Sequence, residues 1–350
     1  MSAAPAAPQV DFAQPFVGAV WCDVVPRSVA CPALTADVLL HAGPPYLGPP
    51  PGPVMNAAVH AVLFEGLAAD EVDARRRLVR GQFTLQPAQD HGVVTPLAQV
   101  VSASMPLAVV THHAQAVFGA MVEGSAPALR FGASAASCRD RLATLRQVQC
   151  AALAACVRRA PVLVDEVIRR AVAAGDDCHS RTAAANEALI ACLVDLAPGV
   201  AAMLRAVPAF VLPVMMAAAA GAVRHHGNAI EALGGNGVDF GVRRRGEPAW
   251  RRLPATPPAG PRLPGGAQAA ALPAIGDSVL VDYCGLGGQV DDPALRRSLI
   301  DPRTGILDPV RIAAAGAHAT VAFNLAILDA SGELGLIGRG VYHPPPELFA

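Results

Sequence analysis

Proline and glycine set the strongest limit on how this chain can fold. Residues 43–53 run Gly-Pro-Pro-Tyr-Leu-Gly-Pro-Pro-Pro-Gly-Pro, and such a segment forms neither a helix nor a central strand. Residues 246–275 are again rich in proline, glycine and alanine, which predicts a long ordered loop or an interdomain connection. Between them, residues 138–174 have apolar residues at helical spacing, and further helices are expected through 182–223. The pattern predicts an α+β protein with mixed regions flanking a helical middle segment.

Four ranges follow from this division of the chain. They are an N-terminal extension or edge segment (1–36), an α+β domain (37–137), a helical domain (138–223) and a second α+β domain (224–350) that contains the Pro/Gly-rich loop 246–275. Outside the helical middle, helices are expected at 54–67, 69–80 and 309–315, and strands or strand-and-turn segments at 16–20, 93–110, 279–283, 320–328 and 334–342.

Composition excludes several classes of function. The chain has no lysine, so a Schiff-base lysine, a pyridoxal-phosphate anchor and a Walker A lysine are all ruled out. Its formal net charge of −1 gives no electrostatic argument for binding nucleic acid or an acidic membrane surface. Hydrophobic residues make up 53% and aromatic residues 4% of the chain, so aliphatic side chains and alanine must fill the core.

Cysteine spacing and hydropathy indicate the cellular compartment in which the protein is expected. The eight cysteines include no CxxC pair, so zinc-ribbon spacing is absent. The N-terminus lacks the pattern of a signal peptide, and we expect a cytoplasmic protein with reduced thiols. Residues 206–223 are uncharged, but Pro208 and Pro213 interrupt them, so we predict a buried helix rather than a membrane span.

The densest group of reactive side chains is Gly175-Asp176-Asp177-Cys178-His179-Ser180-Arg181, directly before an apolar helical run. His179 is the best candidate for a general base, because its ordinary pKa is near neutrality and carboxylates adjoin it. Asp176 or Asp177 could orient the imidazole, and Arg181 could bind an anion at the helix start. The alternative is a helix cap with a surface ion pair.

Other candidate residues allow two interpretations each. His91, beside Asp90 and Gly92, is either a pocket imidazole or a solvated turn histidine. Arg130 lies between apolar residues, so it either pairs with a carboxylate or holds an anionic substrate. The other candidates for anion binding are Asn236 and Arg243 in a glycine-rich stretch, Asp277 and Ser278 after Gly276, and Gly287 and Gly288 in Gly285–Gly288; tight turns are the alternative for these.

Metal and cofactor dependence receive no support from the sequence. His225 and His226 are adjacent, and neighbours on a helix point in different directions, so a two-histidine metal site is not expected there. HExxH, nucleophile-elbow and EF-hand motifs are absent. We therefore predict neither a metal nor a cofactor.

Several segments, in this order, resemble the AllG-like family, formerly a domain of unknown function, one group of which is a subunit of oxamate carbamoyltransferase. The matching segments lie between about residues 38 and 349. They are Leu39–Pro45, Phe64–Ala68, Asp90–Ala98, Ser102–Pro106, Glu123-Gly124, Leu129–Ala133, Gly175–Arg181, Asn236-Gly237, Phe240–Arg243, Gly276–Ser278, Gly285–Gly288 and Gly338–Gly340. The chain departs from the family pattern at Ala88-Gln89-Asp90-His91, at Asp177 and Ser180, and at Gly235, and it is identified as a shortened, divergent member.

The resemblance implies a carbamoyltransferase-type complex, in which carbamoyl phosphate and a small amide or amine acceptor give a carbamoylated product and phosphate. It also implies two partner subunits, one of them similar to acyl-CoA synthetases. The residues then offer His179 or His91 as base, and Arg130, Arg181 and Arg243 for the two anions. Two alternatives stay open, namely a non-catalytic scaffold subunit and a stand-alone hydrolase of a small amide.

Overall fold

The computed structural model describes residues 11–226, 229–290, 293–315 and 321–350. Residues 1–10 of the predicted N-terminal segment, and residue 320 of a predicted strand, lie outside these ranges. The strands are Ala19–Pro26 (β1), Val38–His41 (β2), Thr84–Pro87 (β3), Val93–Val94 (β4), Pro106–His112 (β5), Gln115–Ala120 (β6), Val162–Leu163 (β7), Ile230–Asn236 (β8), Asp239–Arg244 (β9), Arg251–Pro254 (β10), Ile275–Gly276 (β11), Phe323–Leu328 (β12) and Leu336–Tyr342 (β13).

The described helices are distributed along the whole chain. They are Arg27–Ala30 (α1), Gly52–Phe64 (α2), Glu71–Val79 (α3), Ser137–Thr144 (α4), Cys150–Arg159 (α5), Val164–Ala173 (α6), Ala183–Ala191 (α7), Pro198–Arg205 (α8), Leu212–His225 (α9), Val279–Tyr283 (α10), Pro293–Leu299 (α11) and Pro309–Ala315 (α12). The predicted α+β class is confirmed, and the predicted helices at 54–67, 69–80 and 309–315 correspond to α2, α3 and α12.

The main sheet has five strands in the order β4-β6-β5-β1-β7. Strand β1 lies inside it, antiparallel to both β5 and β7. Residues 19–26 of the range 1–36 thus supply an interior strand, and the division of the chain into four ranges stays a prediction. The pairing with β7 also brings the helical middle segment onto this sheet. The predicted strand at 16–20 is displaced, since a 3₁₀ turn covers Gln14–Phe16 and the strand begins at Ala19.

Helix α9 is the central helix of the core. It packs against β1, β5, β6 and β8 and against α10. Among the described helices, the stretch Pro208–His225 is the one that is long and apolar enough to cross a membrane, and 72% of that window is buried inside the protein. The stretch is apolar on every side because it is enclosed by other elements, as expected for a buried helix.

One predicted strand is wrong. Residues 279–283 form helix α10, with backbone N–H groups of Leu280 and Val281 donating to the carbonyls of Asp277 and Ser278. All five side chains are buried, so the run shows no polar face, and periodicity cannot distinguish a short buried helix from a buried strand.

The Pro/Gly-rich stretch 246–275 is ordered and lies along the edges of two smaller sheets. Strand β10 lies within it and strand β11 begins at its last residue, and both belong to the four-stranded sheet β10-β9-β8-β11. Ala259 and Arg262 then form isolated bridges to Val341 and Gly338 of the β12-β13 hairpin. Gly260 is required at this approach, because a Cβ there would lie 2.2 Å from the Arg339 carbonyl oxygen.

Candidate functional site

A cavity of about 440 Å³ opens where several of these elements converge. Its walls come from the N-terminal end of α9, the loop before α7, the turn after β4, the 259–261 segment and the β12-β13 hairpin. Its polar lining is provided by Arg130, His179, Ser180, Arg181, Thr182, Ser278, Asn324 and Arg339. Of the predicted site residues, the structure brings Arg130, His179, Arg181 and Ser278 together around this cavity.

Two adjacent carboxylates shape the loop before α7. Asp176 Oδ2 accepts the N–H groups of Ala184 and Ala185 at 2.8 and 3.0 Å, which caps the start of α7. Asp177 Oδ1 accepts the N–H groups of His179, Ser180 and Arg181 at 2.8 to 2.9 Å. Burial alone would raise the pKa of Asp177, but these N–H groups, the Ser180 hydroxyl and the Arg181 guanidinium hold it below its ordinary value.

The imidazole of His179 contacts the carboxylate of Asp282, from α10, rather than that of Asp176 or Asp177. Its Nδ1 donates a hydrogen bond to Asp282 Oδ2, since an ionised carboxylate only accepts. Both side chains are nearly inaccessible, at 6% and 0% exposure. Burial disfavours the imidazolium, yet the adjacent Asp282 carboxylate outweighs it and raises the pKa of His179 above its ordinary value. With the proton on Nδ1, the neutral ring keeps a lone pair at Nε2.

Backbone donors fix the position of Asp282. Its Oδ1 accepts the N–H groups of Gly288 at 2.8 Å and Asn324 at 3.0 Å. Gly287 adopts a positive φ of 57°, and a Cβ at that position would lie 2.3 Å from Asp282 Oδ1. The predicted glycines 287 and 288 therefore contact the carboxylate that holds His179, and they are not among the cavity-lining residues.

Three guanidinium groups lie around the cavity. Arg130 is 5% exposed, lies over the Phe131 ring at 4.4 Å and donates from Nη1 to the Gly124 carbonyl. Arg181 Nη2 lies 3.6 Å from Asp177 Oδ2. Arg339 donates to the Ser180 carbonyl at 3.3 Å. Arginine binds carboxylate and phosphate oxygens with paired N–H groups, so the cavity has the chemistry to hold more than one anion.

The remaining predicted residues lie outside the cavity. His91 Nε2 contacts Gln86 Oε1 at 2.7 Å, and burial lowers the pKa of His91. Arg243 pairs with Asp90 and with Glu231. Asn236 organises the β8-β9 turn by accepting the N–H groups of residues 238 and 239, and its side-chain amide donates to the Pro44 carbonyl at 2.9 Å.

Asp277 also lies outside the cavity and joins three segments of the chain. Its carboxylate accepts hydrogen bonds from the N–H of Gly43, the N–H of Thr95 and the side-chain amide of Gln89, at 2.7 to 2.9 Å. Burial raises its pKa to about 7, although these three donors oppose the shift. Its neighbour Ser278 faces the cavity.

Sequence reasoning missed Asp282, Asn324 and Arg339 as site residues. Asp282 was hidden in an apolar run that suggested a strand. Asn324 donates from its side chain to Ser180 Oγ at 3.1 Å but lies 144 residues away along the chain, so no local pattern connects the two. Arg339 stands between two glycines in a segment that resembles the family, and this was the available signal.

Comparison with known proteins gives a consistent family. The sequence model described as oxamate carbamoyltransferase subunit AllG matches residues 83–278. The oxamate carbamoyltransferase subunit AllG of Escherichia coli (strain K12) is 31% identical over 293 aligned positions, covering 77% of this chain and 69% of that protein. The uncharacterized protein YahG of the same strain is 29% identical over 378 positions, covering 91% and 78%.

A solved structure gives the same fold. The crystal structure of a conserved protein of unknown function from Enterococcus faecalis V583 superposes with a TM-score of 0.86, covering 97% of this chain and 94% of that one, at 24% identity.

Proposed function

This chain belongs to the AllG family, and from that membership we propose that it is a subunit of a carbamoyltransferase-type complex whose reaction takes place in the His179 cavity. The complex would transfer the carbamoyl group of carbamoyl phosphate to a small amide or amine such as oxamate. The observation on which the proposal rests is the buried His179–Asp282 pair, which faces a cavity lined by Arg130, Arg181 and Arg339.

The chemistry of carbamoyl transfer matches these groups. The acceptor nitrogen forms a bond to the carbamoyl carbon, the bond from that carbon to the phosphate oxygen breaks, and the nitrogen loses a proton. In the proposal, His179 Nε2 accepts this proton. Asp282 stabilises the imidazolium that forms, as the carboxylate does in other histidine–carboxylate pairs.

The arginines have a separate task. Carbamoyl phosphate and a carboxylate-bearing acceptor are both anions, so they repel each other unless cations lie between and around them. Arg130 is held rigidly by its contact with Phe131 and its bond to Gly124, whereas Arg181 and Arg339 reach the cavity from its more exposed side. One buried and two more exposed guanidinium groups around the same cavity support the binding of two anions.

Partners form part of the proposal. AllG of Escherichia coli is named as one subunit of an oxamate carbamoyltransferase, so we propose that this chain also works with other subunits, one of them similar to acyl-CoA synthetases. We also propose that the complex is cytoplasmic.

The test is to purify the tagged chain with its partners from the native host and measure phosphate release from carbamoyl phosphate with and without oxamate or related amides. The proposal expects acceptor-dependent release by the complex. A chain that purifies alone and hydrolyses a small amide without carbamoyl phosphate would contradict it.

A further inference from the structure

A group of histidines lies outside the cavity, where the β5-β6 turn meets the C-terminal end of α9. His112 ends β5, His113 lies in the turn and His225 lies in the helix, and one ring nitrogen of each lies within 4.8 Å of the others. We propose that these three imidazoles bind a divalent transition-metal ion, with zinc as the ion best suited to the site.

The nitrogen atoms of His112 favour this assignment. The residue is fully buried, and its Nε2 lies 3.2 Å from the Pro15 carbonyl oxygen. Its Nδ1 is buried and has no hydrogen-bond partner among the described residues. A buried polar atom without a partner is costly. Metal-binding histidines commonly donate the other ring N–H to a backbone carbonyl, and His112 already has that arrangement.

The other two ligands can adjust to an ion. His113 and His225 are exposed, and their rings stack with centroids 3.9 Å apart. Around tetrahedral zinc the bonded nitrogens lie about 2.0–2.1 Å from the metal and therefore about 3.4 Å from one another. The nearly parallel rings of these two exposed residues must turn out of their stack for the three nitrogens to reach that separation around one ion. Three histidines leave the fourth position for water.

The turn between β5 and β6 has an unusual backbone conformation. It connects β5 to β6 through only two residues, His113 and Ala114, and both have positive φ, at 45° and 70°. Glycine, asparagine and aspartate are the usual residues in such a turn, and other residues there are strained. Histidine at this position places a ligand at the tip of the hairpin.

The prediction from sequence considered only His225 and His226, which are adjacent. The fold instead combines His225 with the hairpin, while His226 Nε2 lies 3.2 Å from the Pro15 carbonyl. A metal ion would thus tie the hairpin to the end of α9. Because α9 has 14 residues and its Leu212 end lines the cavity, this site lies about 20 Å from the cavity along the helix.

The experiment is a calorimetric titration of chelator-treated protein, carrying a tag without histidines, with zinc alone. We expect one zinc per chain with micromolar or tighter affinity. His113→Asn and His225→Gln should each weaken binding at least about tenfold by removing one of three ligands. Both side chains are exposed, so neither change opens a cavity, and asparagine tolerates the positive φ of residue 113.

The matched control is His343→Gln, which changes a histidine that contacts the Val321 carbonyl and should leave the affinity unchanged. Zinc at about 100 times its Kd should also raise the Tm of the wild type by about 4 °C and that of the two ligand variants by much less. Failure of the wild type to bind zinc below millimolar concentration would overturn the proposal, as would equal affinity in all four proteins.

Discussion

At the scale of single residues, the account depends on which carboxylate contacts the imidazole of His179. Three carboxylates lie near it, and each has a different task. Asp176 caps α7, Asp177 holds the loop backbone, and Asp282 contacts the ring. Asp282 accepts the hydrogen bond from Nδ1 and therefore fixes the tautomer, and it raises the pKa of His179 more than Asp177 does.

Asp282→Asn should therefore lower the pKa of His179, because burial, which opposes the imidazolium, is no longer countered by the Asp282 carboxylate. The asparagine amide also favours a proton on Nε2, which removes the base. We expect carbamoyl transfer to fall about 10²- to 10⁴-fold. The activity of the wild type should rise with pH through a pKa above 6.5, and a pH profile of kcat/KM checks both statements.

The same pair affects stability. A histidine with a raised pKa in the folded state contributes stability that is complete below its unfolded pKa of about 6.5 and is lost as pH rises through its folded pKa. The difference in unfolding free energy between wild type and Asp282→Asn should thus be largest below pH 6.5 and shrink above it, as urea titrations would measure. A difference that grows with pH would contradict the assignment.

Gly287→Ala tests the position of Asp282 without altering it. The new Cβ would lie 2.3 Å from Asp282 Oδ1, so we expect at least about a tenfold loss of activity, as from other small displacements of catalytic groups. Gly66→Ala is the matched control, because Gly66 also has positive φ, at 69°, but open space around it. Both changes should cost about 1 kcal/mol of stability from the backbone, and the control should retain activity.

At the scale of elements, strong local patterns were predictable and short buried elements were not. Helices α2 and α3 follow from apolar spacing and from Asp70, which caps α3 by accepting the Asp73 N–H. Helix α10 and the strands β4, β7 and β11 have five residues or fewer, and their form depends on neighbours distant in sequence. Asp282 was missed for this reason, since its role follows from α10 being a helix.

Asp277→Asn tests how such elements are joined. At pH 8 the carboxylate serves three N–H donors from three segments, and an asparagine amide would face one of them without an acceptor. We expect a loss of about 1–3 kcal/mol in the free energy of unfolding. The control Glu247→Gln removes an exposed ion pair with Arg251 and should cost less than about 1 kcal/mol. Equal costs in chemical denaturation would contradict this role.

At the scale of the whole molecule, the cavity is assembled from the middle and C-terminal parts of the chain together with the turn after β4. The heptapeptide 175–181 and Arg130 could be selected from sequence because reactive residue types are clustered there or stand between apolar neighbours. From sequence, His179 was the preferred base because Asp176 and Asp177 lie within three residues of it, but His91, beside Asp90, stayed a second candidate. Only the fold places one beside the cavity and the other against Gln86.

The most direct test of the central claim is therefore a comparison of His179→Gln and His91→Gln in the assembled complex, measured as acceptor-dependent phosphate release from carbamoyl phosphate. The account predicts a loss of at least about 100-fold for His179→Gln and a change within a few-fold for His91→Gln. Full activity in His179→Gln, or an equal loss in both variants, would contradict it.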